Sequence, residues 1–113
     1  MGVHTATQGN AWIVVLSGDI SMHESLEFAR ELKAACGGPH EVIIIVFRCS
    51  MINSHCLGTV LAAYNTVKST SKKIRIVSES KMVTKSLTNF RIVPLVPLYD
   101  SVQDALEAVE SDE

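Results

Sequence analysis

The sequence predicts an α/β fold, with a mixed and mostly parallel β-sheet flanked by about four helices. The segment 42–47 reads VIIIVF, and such an unbroken apolar run is typical of a strand buried on both faces of a parallel sheet. Apolar residues then recur at helical spacing between positions 57 and 67, which predicts a helix with one buried face. Strand and helix patterns alternate over the rest of the chain, and this order favours parallel strands joined by crossover helices.

The first part of the chain predicts a β-hairpin. Residues 3–7 and 12–16 have strand patterns, and the segment 8–10 between them is a turn of Gln, Gly and Asn. The second strand ends at the Ser-Gly-Asp sequence of residues 17–19. Two short strand patterns separated by such a turn indicate antiparallel pairing.

A helix follows the hairpin. Ser21 with Glu24 three residues later forms a capping-box sequence, and the Gly-Gly-Pro segment 37–39 ends the helix. The apolar residues expected on its buried face are Leu26, Phe28, Ala29, Leu32, Ala35 and Cys36.

After a central strand at 41–47, the helix 54–69 and a strand at 72–77 are expected, with the side chains of Lys73 and Arg75 pointing outward. A short edge strand is expected around 95–98, between two prolines. Ser80 is the expected cap of a third helix, which carries Val83, Leu87 and Phe90 on its apolar side. Asp100 or Ser101 is the expected cap of a last helix, with Val102, Ala105, Leu106 and Val109 facing inward.

Length and composition limit the classes of function. The 113 residues are expected to form one domain, 1–113, with residues 109–113 as a frayed acidic tail. The net charge of −2 and the lack of a basic stripe argue against a nucleic-acid partner. No apolar run approaches the roughly 20 residues of a membrane span, so no membrane insertion is expected. Three cysteines without CxxC spacing favour reduced thiols in a cytoplasmic protein.

The junction between the central strand and the following helix, residues 51–58, is where the sequence predicts a functional site. Asn53 and Ser54 are good N-cap residues, and a helix start offers free N–H groups and a partial positive charge. The side chains of Ser54, His55 and Cys56 are expected on that exposed rim. The methionines at positions 22, 51 and 82 are expected in the core.

Two kinds of chemistry are possible at the junction, a metal site and a nucleophilic thiol. Cys49, His55 and Cys56 lie close in sequence, but a structural zinc site needs four ligands with paired spacings. A thiol at a helix N-terminus has a lowered pKa and could act as a nucleophile, yet His55 and Cys56 are adjacent and do not face each other on a helix. We therefore expect no catalytic residue, metal or cofactor, and a Cys/His enzyme remains as an alternative. Cys36 and Cys49 are expected to be small apolar fillers.

Three stretches of the chain resemble the STAS domain, the fold of bacterial anti-sigma factor antagonists. They are LSGDI at 16–20, the junction, and DSVQDAL at 100–106. The junction of that family typically reads Ile-Asp-Ser-Ser-Gly-Leu-Gly, and residues 52–58 here read Ile-Asn-Ser-His-Cys-Leu-Gly. The resemblance covers nearly the whole chain and implies a mixed sheet with flanking helices.

The departures from that motif fall on its functional positions. His55 replaces the second serine, which a partner kinase usually phosphorylates in the antagonists, while Asn53 replaces the acidic residue and Cys56 the small glycine. Ser54 is kept. In branches that resemble stressosome scaffold proteins the residue in that place is the phosphoacceptor, so Ser54 is the phosphorylation candidate here.

The resemblance implies a non-catalytic docking domain. Its partner would be an anti-sigma factor of the serine-kinase type or a related regulator, bound by partner switching. The expected contact residues are Gly18, Asp19, Asn53, Ser54, His55 and Cys56. A subunit of a larger scaffold or transporter complex without a phospho-switch is the first alternative, and the enzyme is the second. The oligomeric state is left open.

Overall fold

The computed structural model describes residues 2–111, and the side chains through residue 108. Within this part, five strands and four helices form a single mixed α/β arrangement, which confirms the predicted fold class. The strands are β1 (Gly2–Gln8), β2 (Ala11–Ser17), β3 (Val42–Arg48), β4 (Lys73–Ser78) and β5 (Leu98–Tyr99). The helices are α1 (Met22–Gly37), α2 (Ser54–Val67), α3 (Lys81–Asn89) and α4 (Val102–Ser111). No helix among the described residues is long and apolar enough to cross a membrane.

The sheet has the strand order β1-β2-β3-β4-β5, so each strand pairs with the one before it in the sequence. The first pair is antiparallel, as the predicted hairpin requires, and the other three pairs are parallel. Because β1 is the antiparallel strand, every helix follows a strand of the parallel set and begins at the same edge of the sheet. This carboxyl edge collects the starts of all four helices.

β3 is buried on both faces, as its apolar run predicted. Ile43 and Ile45 belong to the core cluster that includes α1, α2 and α3, whereas Ile44 and Val46 face the cluster that includes Ala105 of α4. This assignment follows the two-residue period of strand side chains. The sheet therefore carries three helices on one face and α4 on the other.

Four expectations about burial were wrong. Arg75 is buried, not outward, because it pairs in register with Ile44 and so lies on the sheet face that α4 covers. Leu26 is exposed because it lies about 160° round the helix from Phe28, which is on the buried face of α1. Phe90 is exposed at the C-cap of α3. The methionines were expected in the core, but Met22, Met51 and Met82 are all exposed.

The element ends differ slightly from the prediction. α2 ends at Val67 rather than residue 69, and β5 lies at Leu98–Tyr99 rather than 95–98. The segment before β5 turns instead of pairing, because the Val96 N–H donates to the Ile92 carbonyl at 2.7 Å. Ser101 caps α4, since its Oγ accepts from the Asp104 N–H at 3.0 Å. α4 continues to Ser111, so part of the tail that was expected to be frayed is helical. The rest of that tail, residues 112–113, and the side chain of Val109, which was expected to face inward, lie outside the described part of the chain.

Candidate functional site

The loops β2–α1 and β3–α2 meet at the carboxyl edge of the sheet. The Gly18 N–H donates to the Arg48 carbonyl at 3.3 Å and so joins the ends of the two strands. Gly18 has a φ of 86°, a conformation that glycine adopts at little cost. A pocket of about 380 Å³ lies between the loops and is lined by residues 18–20 and 50–53. The structure thus brings Gly18 and Asp19 beside the junction, as the sequence analysis expected.

Asn53 is the N-cap of α2 and connects that helix to α1. Its Oδ1 accepts from the Cys56 N–H at 2.9 Å, which satisfies one of the free donors of the first turn. Its Nδ2 donates to the Ser25 Oγ, also at 2.9 Å. Because both the oxygen and the nitrogen of the amide form hydrogen bonds within the domain, the side chain of Asn53 mainly stabilises the fold. It has little hydrogen-bonding capacity left for a partner.

Ser25 is a residue of the site that the sequence analysis missed. It is fully buried on α1, and its Oγ donates to the Ser21 carbonyl at 3.1 Å and lies 3.5 Å from the Cys56 Sγ. Three polar groups from two helices therefore share one buried network under the start of α2. One feature of the sequence could have indicated its role. Ser25 lies three residues before Phe28, on the apolar stripe of α1, and a buried hydroxyl requires a hydrogen-bond partner.

The side chain of Cys56 does not lie on the exposed rim, so the expectation that it would be exposed there was wrong. Its side chain is fully buried because it shares the inner stripe of α2 with Val60 and Val67. Burial also raises the pKa of the Cys56 thiol, although the hydrogen bonds from Ser25 and Asn53 act in the opposite direction. The expected lowering of a thiol pKa by the helix start is therefore overridden by the loss of hydration.

Cys49 gives no support to an enzyme or metal site either. Burial raises the pKa of its thiol to about 11, so the nucleophilic thiolate is scarce at neutral pH. Among the described residues, no group of three His, Cys, Asp or Glu side chains could hold a metal ion.

The exposed side chains of the junction are those of Met51, Ser54 and His55. Met51 is 64% exposed, more than the other exposed large apolar residues of the described chain. We call Asp19, Met51, Ser54 and His55 the junction surface. It presents a hydroxyl, an imidazole, a carboxylate and a thioether around the start of one helix.

Replacing Asn53 by alanine is expected to destabilise the domain, because the cap and the link to Ser25 are lost together. Loss of an N-cap costs about 1–2 kcal/mol, which corresponds to a fall in Tm of about 4–8 °C. Asn53→Asp is the matched control, since aspartate also accepts from the Cys56 N–H and should keep most of the stability. Thermal melts of the three proteins test this, and equal Tm values for the alanine and parent proteins would contradict it.

The order of elements and this junction can be compared with known proteins. The model of one protein family, the STAS domain, matches residues 3–105. The chain belongs to the STAS domain family. The resemblance stated from the motifs is thereby confirmed, and the helix start at Ser54 is that of a STAS domain.

Solved structures of anti-sigma factor antagonists have the same fold as this STAS domain. One from Mycobacterium paratuberculosis is 18% identical, with a TM-score of 0.85 over 96% of this chain and 92% of that chain. SpoIIAA in its unphosphorylated form is also 18% identical, with a TM-score of 0.83 over 97% of both chains. RsbS from Moorella thermoacetica is 12% identical, with a TM-score of 0.82 over 96% of this chain and 95% of that chain. No curated protein matches the sequence.

Proposed function

We propose that this STAS domain is a non-catalytic docking protein of the cytoplasm that binds a serine-kinase-type anti-sigma factor, or a related regulator, by partner switching. In this scheme the domain sequesters the kinase and thereby frees the other client of that kinase. The observation that carries the proposal is the exposure of Ser54 and His55 at the first turn of α2. The similarity in fold to anti-sigma factor antagonists supports it.

Met51, which is exposed on the junction surface, is of a residue type common at protein interfaces. Methionine is enriched in the cores of interfaces and adapts its shape to different partners. Ser80 Oγ, at the start of α3, donates to the Ser50 carbonyl at 3.1 Å, and this bond holds the α3 start beside the β3–α2 loop. Met82, in the first turn of α3, is 56% exposed. It can therefore extend the apolar part of the surface beyond Met51.

Ser54 is placed so that a phosphate would change the surface without disturbing the core. A phosphoserine adds about −1.5 to −2 charges at neutral pH, and the start of α2 accommodates negative charge. Ser54 is exposed, whereas its neighbour Cys56 belongs to the core. Phosphorylation of Ser54 therefore changes the charge of the surface that a partner contacts and leaves the packing of α2 intact.

A titration tests the proposal directly. Each serine-kinase-type anti-sigma factor encoded in the genome of origin is purified and titrated with the parent chain and with Met51→Glu, which places a charge on the junction surface. Leu95→Glu is the matched control, because Leu95 is also a largely exposed apolar residue, at 53%, but lies in the segment before β5. Binding that is lost only in Met51→Glu supports docking at the junction. Absence of binding to every such factor would refute the assignment to this class of partner.

His55→Ser is expected to create a better substrate for such a kinase. The substitution restores a hydroxyl at the position that a partner kinase usually modifies in proteins resembling this one, and His55 is exposed and available to an active site. Incubation with the kinase and ATP, followed by phosphopeptide mapping, should show more label in His55→Ser than in the parent or in His55→Ala. Equal labelling of all three would mean that His55 does not control phosphorylation.

The first alternative, a scaffold or transporter subunit without a phospho-switch, is favoured by one observation. An imidazole stands where the usual acceptor hydroxyl would be. If the parent chain binds its partner with the same affinity before and after treatment with kinase and ATP, and no label maps to Ser54, this alternative replaces partner switching.

A further inference from the structure

A second cavity lies away from the junction, in the groove between α1 and α2 on the side facing solvent. It encloses about 480 Å³. Its walls are mainly apolar, with Ala29 and Leu32 from α1 and Ala62 and Ala63 from α2. We call it the α1–α2 cleft. Its volume lies within the range of about 300–1,000 Å³ that is usual for small-molecule pockets.

The two threonines of the cleft add little polarity to it. Thr59 Oγ1 donates to the His55 carbonyl at 3.0 Å, and Thr66 Oγ1 donates to the Ala62 carbonyl at 2.9 Å. Because each hydroxyl is bound to the preceding turn of its own helix, the methyl group is the part of the side chain left for a ligand. Cys36 also lines the cleft, and burial raises the pKa of its thiol and keeps it uncharged.

Among the described residues that line the cleft, Lys33 alone carries a charge. Its side chain is exposed at the rim, one helical turn before Gly37, where α1 ends. A ligand that fits this pattern has a long apolar part for the walls and a single negative group for the ammonium. The other direction along α1 is also apolar at the surface, since Leu26 and Met22 precede Lys33 by seven and eleven residues on one stripe and both are exposed.

The size of the cleft distinguishes a small molecule from a protein segment. Stable protein interfaces involve roughly 20–30 residues on each side, and the cleft is formed by far fewer. An alkyl chain fits instead, if it leaves the cleft past Ala29 and continues along the exposed apolar stripe of α1. From Lys33 in the cleft to Met22 at the end of that stripe the helix rises about 16 Å, the span of an extended chain of roughly 12–14 carbons with bonds of about 1.5 Å.

We propose that the α1–α2 cleft binds a long-chain fatty acid, with the alkyl chain along Ala29, Ala62 and Ala63 and the carboxylate at Lys33. The site is separate from the junction surface, and the proposal does not depend on which protein partner the domain binds. His55 precedes Thr59 by one helical turn of α2, so the apolar groove and the docking residues share one helix.

Calorimetric titration of the parent chain with myristate, below the concentration at which micelles form, tests the proposal. Saturable binding of one molecule per chain is expected. Ala62→Trp should weaken it more than tenfold, because the indole fills the cleft, whereas Asn65→Trp, on the same helix but outside the cleft, should bind like the parent. Lys33→Met should weaken myristate binding roughly two- to fivefold, the effect of one exposed charge pair, and leave binding of uncharged tetradecanol unchanged. Lys85→Met on α3 is its control.

A readout on the parent chain avoids any question of variant folding. Bound myristate should slow maleimide labelling of Cys36 and leave labelling of Cys49, outside the cleft, unaffected. The proposal is overturned if the parent shows no saturable binding, if Ala62→Trp binds like the parent, or if Cys36 and Cys49 are protected equally. A loss of tetradecanol binding in Lys33→Met equal to that of myristate would overturn the assignment of a carboxylate.

Discussion

Ile45→Asp is expected to prevent folding altogether. Ile45 is fully buried at the centre of β3, with Val14 and Ile76 beside it in the two neighbouring strands. A carboxylate placed there loses its hydration, finds no cation, and costs several kcal/mol even after relaxation. A domain of this size has a total stability of about 5–15 kcal/mol, so the loss removes most or all of it.

Circular dichroism during urea titration measures this effect, and the cooperative transition should be absent. Ile45→Val is the matched control and should cost only about 0.5–1.5 kcal/mol. Ile44 is a poorer choice for the experiment although it is equally buried, because the Arg75 side chain lies next to it on the same face of the sheet. A cooperative transition near that of the parent in Ile45→Asp would contradict a central position for β3.

Ser54→Asp is expected to weaken partner binding roughly ten- to hundredfold while the fold survives. At the first turn of α2 a carboxylate meets the positive end of the helix, which is worth about 0.3–1 kcal/mol at an exposed terminus. The Tm should therefore change little. In the complex, however, an unpaired charge at the centre of the junction surface must be desolvated at a cost of several kcal/mol, and each 1.4 kcal/mol is about tenfold in affinity.

Titration of the variant against whichever partner is found to bind the parent, with a melt of each protein alone, tests this expectation. Ser54→Ala should bind like the parent, since it adds no charge. Ser71→Asp adds the same charge in the exposed α2–β4 turn, at the opposite edge of the sheet, and should also bind normally. Unchanged affinity of a folded Ser54→Asp would move the interface away from the junction.

The layout of the fold was predictable because its signals are local. The apolar run of β3, the capping sequence at Ser21 and the cap at Ser80 each specify an element from neighbouring residues, and the structure has all three. The start of α2 was predictable for the same reason, since the N-cap residue Asn53 follows a buried strand after a short loop.

Two of the errors, at Arg75 and Ser25, come from contacts made by distant parts of the chain, whereas the error at Cys56 is local. Lys73 and Arg75 alternate with apolar residues as in a half-exposed strand, and only α4, nearly thirty residues later, buries the second of them. Cys56 was assigned to the rim because it is close in sequence to Ser54. Its spacing of four residues from Val60 already indicated the inner face of α2. The role of Ser25 depends on the packing of α1 against α2, since its hydrogen-bond partner Asn53 lies 28 residues away in the sequence.

The strand order has a consequence for how the chain acquires its structure during synthesis. Because each strand pairs with the one before it, a chain emerging from the ribosome can add every βα unit to an edge that is already complete, without rearranging earlier pairs. The exception is the face carrying Ile44 and Val46, whose cover is α4, which follows all five strands in the sequence. That face stays open to water until α4 has emerged, which makes the nascent chain, more than the folded domain, the form that is vulnerable to aggregation.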